Sequence, residues 1–484
     1  MDIKAVSGDQ LVEKLTSFGM QKSRPVSEGS YDYVEKADSM DSPVKPTNRL
    51  ALTTVAQHGT NVLTQRWAQI KDTQNFNVKI SLEGSPITNQ RSSGRCWLFA
   101  ATNVFRVAIM KRYNLKEFEL SQSYLFYWDK LEKANWFLEQ VLDTIDEPLD
   151  GRLVQRLMED PVGDGGQWDM VANLVEKYGL IPQQHYPDSY NAQNSNGMRA
   201  LITTKLREDA LELRQLATQS KDPRASLGSV KDKMLRDIHR ILTVMLGPPP
   251  SANDEFTWEY HNKEDKFGSL TTTPLQFAGE LSSKASIQSN TGVDIHEVFS
   301  LVNDPRNEYN RLLTVDRLGN AVGMRHICYV NVSMPIMKSA CVAMLKADLP
   351  IFFGSDVGKY LSQQGGIMDI DLIDYELGFN VKLGLSKAQR LMTGESAMTH
   401  AMVLTAVHLD KDGEPVRWRV QNSWGETAGT KGWFVMADRW MDQFVYQAVV
   451  DPKYPTPFVS KEIRDILTQD PKVLPLWDPM GALA

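Results

Sequence analysis

The stretch that decides the fold reads Asn89-Gln90-Arg91-Ser92-Ser93-Gly94-Arg95-Cys96-Trp97-Leu98-Phe99-Ala100. Its first part is polar and turn-forming, and from Trp97 to about Tyr113 apolar side chains recur at helical spacing. Residues 92–94 supply turn and capping chemistry, so we expect a helix to begin here. Cys96 would then lie at a helix N-terminus, where unpaired N–H groups and the helix dipole favour a thiolate. The position is typical of a nucleophile, although an arbitrary cysteine is more often a small apolar side chain.

The composition excludes several classes of protein. Of the 484 residues, 42% are hydrophobic and 23% are charged, which is ordinary for a soluble globular chain long enough for two or three domains. The net charge of −7 gives no global reason to bind nucleic acid, although a local basic patch stays open. The first thirty residues lack an apolar core of signal-peptide length, and no window predicts a membrane-spanning helix. The three cysteines (Cys96, Cys328 and Cys341) do not resemble a disulfide framework, so we expect a reduced, cytoplasmic protein.

The pattern changes twice along the chain. Residues 199–246 are strongly helical and are interrupted only around residues 221–223. The final third is β-rich, with strands predicted at residues 401–407, 416–421 and 432–436. The sequence thus combines a strongly helical segment with a β-rich final third.

A second group of polar residues lies on the predicted strands. His400 begins a buried strand, and Asn422 ends the next one. A hairpin at residues 410–413 can therefore place the two side chains together, with Trp424 covering their hydrogen bond. Gln90 lies six residues before Cys96, so its amide and the helix-end N–H of Cys96 could surround one oxyanion. Taken singly, the histidine is more often a satisfied core residue, the asparagine a turn residue and the glutamine a surface side chain.

Together these residues satisfy the needs of a cysteine protease: a thiolate, a histidine that accepts and returns a proton, and a group that orients the histidine. The order Gln, Cys, His, Asn resembles the papain-like cysteine proteases. Their signature around the nucleophile is Cys-Gly-Ser/Ala-Cys-Trp/Tyr, from which this chain departs at Ser93 and Arg95. Ser93 stands where secreted relatives have a disulfide cysteine, in agreement with a reducing compartment. The change to Arg95 has no explanation in the sequence.

The spacing also departs, because 304 residues separate Cys96 from His400, against roughly 130–150 in the papain group. An insertion at about residues 190–330 would supply the excess. With that insertion the chain from about residue 50 to its end resembles the bleomycin hydrolase family, and its ending resembles fungal members. The resemblance is carried by the motifs Gln-Arg-Ser-Ser-Gly-Arg-Cys-Trp, Asp164-Gly165-Gly166, Met398-Thr399-His400-Ala401-Met402 and Gln421-Asn422-Ser423-Trp424-Gly425.

That resemblance implies an α+β papain-like fold with a large helical insertion and a C-terminal tail in the cleft. The predicted regions are an N-terminal arm (1–48), a helical half carrying the cysteine (49–190), a helical insertion for oligomerisation (191–330), a β half carrying the histidine and asparagine (331–455) and the tail (456–484). It further implies a cytosolic cysteine aminopeptidase, assembled as a homohexamer, that acts on peptides with a free N-terminus and on bleomycin-type amides. No metal or other cofactor is expected.

The resemblance also assigns roles by position. Cys96 is the expected nucleophile, His400 the base and acid, Asn422 its orienting group and Gln90 the oxyanion donor. The expected substrate-binding residues are Gly165, Gly166, Trp424 and Ala484. The carboxylate of Ala484 would bind the α-amino group of a peptide and so restrict cleavage to N-terminal residues. From residue chemistry alone, the two glycines would be a tight turn and the chain end would be frayed.

Two alternatives stay open. One is an endopeptidase or an acyltransferase that uses the same pair of residues. The other is a ring that binds nucleic acid through Lys and Arg in residues 205–240, as an added role. A requirement for a free amine in the substrate discriminates the aminopeptidase from the first.

Overall fold

The structure is a computed structural model that describes residues 46–63, 71, 73–219, 223–282, 294–453 and 465–482. Most of the predicted N-terminal arm lies outside these ranges, and so does Ala484. The chain divides into two compact units, Met1–Thr64 with Ile373–Leu383 and Gln65–Leu372 with Gly384–Ala484.

Helices and strands are numbered in chain order. The helices are α1 (Pro46–His58), α2 (Cys96–Arg112), α3 (Gln122–Asp143), α4 (Arg152–Glu159), α5 (Trp168–Tyr178), α6 (Tyr190–Gln193), α7 (Asn196–Ala217), α8 (Pro223–Leu246), α9 (Pro274–Ser282), α10 (Met334–Lys346), α11 (Tyr375–Phe379), α12 (Lys387–Thr393) and α13 (Asp438–Phe444). The strands are β1 (Val78–Lys79), β2 (Phe256–His261), β3 (Phe267–Thr272), β4 (Phe299–Val302), β5 (Arg311–Val315), β6 (Tyr329–Asn331), β7 (Ile351–Ser355), β8 (Leu361–Ser362), β9 (Ile367–Met368), β10 (His400–Leu409), β11 (Pro415–Gln421), β12 (Trp433–Ala437), β13 (Val445–Val450) and β14 (Lys472–Leu474).

The described part of the smaller unit is helical. It contains α1, a 3₁₀ turn at Thr60–Leu63 and α11. The side chain of Leu63 lies against Gly378, where an added Cβ would sit 2.8 Å from Leu63 Cδ1. Residues 373–383 thus group with the N-terminal region, an association that the sequence pattern did not predict.

Helix α2 is the central helix of the larger unit. Its residues are buried on nearly every side, as expected of a helix that is apolar all round. It packs against α3, α5, β7 and β10. This packing brings Cys96, at the start of the helix, to the sheet that carries the histidine.

Strand β10 lies inside the large sheet, between β7 and β11, and is buried along almost its whole length. The strand order is β14-β5-β6-β4-β13-β7-β10-β11-β12-β9-β8, and β1 also pairs with β10. The predicted hairpin joins β10 and β11 as an antiparallel pair, in which Val403 lies opposite Gln421. Asn422, the next residue, therefore lies near the beginning of β10, where His400 stands. Strands β4 to β6 come from the predicted insertion, so this region contributes to the sheet as well as to helices.

The helical hairpin predicted at residues 199–246 is present as α7 and α8, and both helices pack on α3. Its buried face is apolar and includes Ile202, Leu206, Leu213, Met234, Ile238 and Leu242. In the part of the chain that the structure describes, no helix is both long and apolar enough to cross a membrane.

Candidate active site

The nucleophile candidate lies where the sequence placed it. Cys96 is the first residue of α2 and is buried. The capping prediction was wrong in detail, because the N-cap residue is Arg95 and no side chain caps the helix end. Ser92 and Ser93 instead belong to the preceding turn, in which Arg91 adopts a left-handed φ of 55°. The free N–H groups at this helix end are thus left for the sulfur and for an incoming ligand.

His400 and Asn422 are brought together as predicted. His400 Nε2 lies 2.9 Å from Asn422 Oδ1, which also accepts the backbone N–H of Ser423 at 2.8 Å. An amide oxygen carries no hydrogen and can only accept. His400 Nε2 therefore carries the hydrogen of this bond, and Nδ1 is left to exchange a proton with a thiol. The Trp424 indole lies over the imidazole, with ring centroids 5.0 Å apart, and shields this hydrogen bond.

Gln90 is held by its neighbours on both sides. Its backbone N–H donates to Ser423 O at 2.8 Å, and its Oε1 accepts from Ser423 Oγ at 2.6 Å. Its Nε2 donates to Ser93 O at 2.6 Å. An amide nitrogen has two hydrogens, so the second one is available for an oxyanion.

Gln90, Cys96 and His400 line one cavity of about 700 Å³, whereas Asn422 and Trp424 are not among its lining residues. Gly165 lines it as well, whereas Gly166 packs against the Trp97 indole, where an added Cβ would lie 2.5 Å from two ring atoms. Within the described ranges, no group of three or more His, Cys, Asp or Glu side chains is arranged to hold a metal ion. The lining of the cavity includes both catalytic candidates and residues of the groove wall: Gln90, Gly94, Cys96, Lys133, Asp164, Gly165, His400, Leu476, Gly481 and Ala482.

Comparison with known proteins agrees with this geometry. The sequence profile of the Peptidase C1-like family matches residues 33–481. The chain belongs to this family. It is 44% identical to bleomycin hydrolase of Homo sapiens over 417 residues, which cover 84% of this chain and 88% of the human protein. It is 42% identical over 447 residues to the protein named cysteine proteinase 1, mitochondrial, of Saccharomyces cerevisiae (strain YJM789), with coverage of 90% and 89%.

A solved structure extends the comparison to the fold. The crystal structure of PepW from Lactobacillus rhamnosis HN001 matches with a TM-score of 0.87 at 39% identity, covering 95% of this chain and 99% of that one. These findings confirm the predicted family, the papain-like α+β fold and the cysteine peptidase, and they support an aminopeptidase of this family. The fungal-type detail stays a prediction, because the human and yeast proteins match about equally well.

Burial has the largest effect on the pKa values of Cys96 and His400 in this C1-like peptidase. Burial raises the pKa of the Cys96 thiol to about 11, although the N–H groups of Ala401, Trp97 and Cys96 act in the opposite direction. Burial lowers the pKa of His400 to about 4, against the hydrogen bond to Asn422, which acts to raise it. The N–H groups at the helix end favour the Cys96 thiolate as expected, but the cost of burying the charge is larger, so the net effect is a raised pKa. Between these two pKa values the pair holds one transferable proton, so a thiolate forms only when that proton passes from Cys96 to His400.

Sequence reasoning missed the charged residues that support the site. Arg95 is fully buried and donates to Asp188 Oδ1 and Oδ2 at 2.8 and 2.9 Å. Asp164 accepts the N–H of Gly94 at 3.1 Å and pairs with Lys130 Nζ at 2.7 Å. Burial acts to raise the pKa of Asp164, but Lys130 and the hydrogen bonds outweigh it and hold that pKa well below its ordinary value. A signal was present in the sequence, since Arg95 is one of the two departures from the papain signature.

The described part of the tail reaches the cavity that also contains the nucleophile. Leu476, Gly481 and Ala482 line the cavity, and Gln167 Nε2 donates to Ala482 O at 2.6 Å. Upstream, β14 pairs in parallel with β5. Ala484 lies outside the described residues, so its carboxylate and the substrate-binding role of that residue stay predictions.

Proposed function

We propose that this C1-like peptidase is a cysteine aminopeptidase that releases N-terminal residues from peptides. The Cys96 thiolate attacks the carbonyl carbon of the first peptide bond, and the carbonyl oxygen takes up the negative charge. The N–H of Cys96 and Nε2 of Gln90 donate to that oxygen. His400 gives its proton to the leaving amine, and the C–N bond breaks to leave a thioester on Cys96. His400 then takes a proton from water, whose oxygen displaces the sulfur and releases the N-terminal residue as an acid.

The restriction to N-terminal residues is proposed to come from the tail. Ala482 is two residues from the chain end, and two extended residues reach at most about 7 Å further. A chain-end carboxylate within that reach of Ala482 would pair with the α-ammonium of a peptide and exclude longer segments. The same pairing would hold an amide of bleomycin type that carries a free amine.

The observation that carries the proposal is that one cavity contains both the tail and the reacting groups. A cleft open at both ends suits an endopeptidase, whereas a cleft that the tail lines up to Ala482 leaves room for a short segment of substrate. This occupancy favours the aminopeptidase over the endopeptidase and acyltransferase alternatives.

The test is digestion of one defined peptide with a free or an acetylated N-terminus, followed by mass spectrometry. The wild-type protein is expected to shorten the free peptide by single residues and to leave the acetylated one intact. Cys96→Ser should abolish cleavage of the free peptide without changing the unfolding midpoint. Cys328→Ser is the matched control, because Cys328 is half-buried away from the cavity and should retain turnover. Turnover by Cys96→Ser, or equal cleavage of both peptides, would refute the proposal.

The homohexamer is also a proposal. Apolar side chains stay exposed on and beside the helical hairpin, notably Tyr190 at 77% and Val244 at 80%. Exposed apolar positions on one segment favour contact with another subunit. Light scattering on the purified protein tests this, and a monomeric mass would contradict it. The cytoplasmic localisation stays a prediction.

A further inference from the structure

The two positions at which the chain departs from the papain signature contact each other. Arg95 Nε donates to Ser93 Oγ at 2.9 Å, while the remaining guanidinium nitrogens bind Asp188 in a bidentate pair. The rings of Phe99 and Phe126 cover the guanidinium at 5.1 and 5.4 Å from its central carbon. A buried, bidentate and aromatic-covered arginine is held in one orientation.

Ser93 passes this constraint to Gln90. Ser93 Oγ donates to Gln90 O at 2.6 Å, and Ser93 O accepts from Gln90 Nε2 at 2.6 Å. The serine therefore fixes both the backbone and the side-chain amide of Gln90. On the far side, Ser423 Oγ donates to Gln90 Oε1.

We propose that Asp188 and Arg95, acting through Ser93, are positioning residues for the oxyanion donor Gln90. Members with the full papain signature have a cysteine at the position of Ser93, so this chain uses an ion pair and hydrogen bonds where they have a covalent tether. The inference rests on the proposed function, because Gln90 matters only if a tetrahedral oxyanion forms. A displacement of about 1 Å in such a donor lowers the rate strongly, which gives the tether its effect.

Ser93→Ala is the primary variant, because it removes the connecting hydroxyl and leaves the Arg95–Asp188 pair in place. It is expected to lower kcat by about 10- to 100-fold with KM changed less than about twofold. A peptide aldehyde, whose adduct with Cys96 carries the oxyanion, should bind more weakly by a similar factor. Alkylation of Cys96 by iodoacetamide, which forms no oxyanion, should keep its rate.

The double variant Ser93→Ala/Gln90→Ala decides whether the effect acts through Gln90. If it does, kcat of the double variant equals that of Gln90→Ala; additive losses would overturn the inference. Asp188→Asn should weaken aldehyde binding in the same direction, and Ser93→Thr should restore much of kcat. If these variants lowered the unfolding midpoint but left kcat and aldehyde binding unchanged, the role would be structural only.

Asp438→Asn is the matched control. It weakens another partly buried carboxylate contact, to Lys338 and Trp418, away from the cavity. Its kcat and aldehyde affinity should match the wild type. Failure of the proposed function would appear as turnover by Cys96→Ser, whereas failure of this inference would leave Cys96→Ser inactive and Ser93→Ala fully active.

Discussion

The tail should undock more often after a single isosteric substitution at its anchor, Asp478→Asn. Asp478 Oδ1 accepts from Arg306 Nη2 at 2.7 Å, and both side chains are mostly buried. Arg306 keeps two hydrogen bonds to Asp304 at 2.9 and 2.8 Å, so the substitution leaves no unpaired cation. An asparagine can still accept the N–H of Met480, which Asp478 caps at 2.8 Å. The change therefore weakens one contact, between the tail and the body of the unit.

The expected change in the equilibrium constant for tail release follows from that one contact. A hydrogen bond to a charged group contributes about 1.5–3 kcal/mol and a neutral one about 0.5–1.5 kcal/mol. The loss of roughly 1–2 kcal/mol corresponds to a rise of about 5- to 30-fold in the equilibrium constant for tail release. The remaining anchors, including the Gln167 bond to Ala482 O and the Arg152 guanidinium 4.1 Å from the Trp477 ring, still favour the docked state.

The assay compares cleavage of an acetylated peptide with release of the first residue from its free counterpart. Because internal cleavage needs an empty groove, its rate should rise about 5- to 30-fold in Asp478→Asn, while aminopeptidase turnover falls or stays level. Asp470→Asn, the same change at an exposed site close to β14, is the control and should leave the ratio as in the wild type. An unchanged ratio in Asp478→Asn would show that the tail does not decide which bond is cleaved.

Two further predictions concern the shape and the proton of the site. Gly166→Ala places a Cβ 2.5 Å from the rigid Trp97 indole, so we expect a loss of about 1–3 kcal/mol in the free energy of unfolding and a lower kcat. Gly197→Ala, which has open space around its Cβ position, is the control. Equal effects of the two substitutions would contradict the packing argument. The rate of Cys96 alkylation should stay level from about pH 9 to pH 5.5 and fall to half near pH 4. At that pH His400 gains a second proton and can no longer accept one from the thiol. A fall to half near pH 6.5, the usual pKa of histidine, would show that burial does not control the pKa of His400.

The sequence predicted the elements that carry the reacting groups and much of their arrangement. The cysteine helix and the histidine strand were predictable because each is a long apolar run that begins with one polar residue of interest. The adjacency of His400 and Asn422 followed from a short hairpin, which fixes the pairing of its strands. The helix cap was not predictable in the same way, since Ser93 bonds Gln90 O within its own turn and Ser92 pairs with the distant residue Gln193.

The remaining features depend on contacts between distant parts of the chain. Arg95 meets Asp188, 93 residues away, and Asp164 meets Lys130 and Ser195. No periodicity predicts such pairs in a single sequence, because side-chain partners on separate loops are selected by the packed fold. For the same reason the grouping of residues 373–383 with the N-terminal region could not be predicted.

The buried charges around Cys96 are better explained by geometry than by stability. A buried ion pair loses most of its attraction to desolvation, and an apolar replacement often stabilises a protein as well or better. Here the cations also bind irregular backbone: Lys130 donates to Val162 O and Gly163 O, and Lys133 donates to Gly163 O and Gly165 O, at 2.6 to 2.8 Å. These carbonyl groups lie in a loop and have no helix or sheet partner, yet buried carbonyl groups need donors. A loop that must pass close to the nucleophile without regular structure therefore takes its donors from α3, and the carboxylates of Asp129 and Asp164 balance the charge.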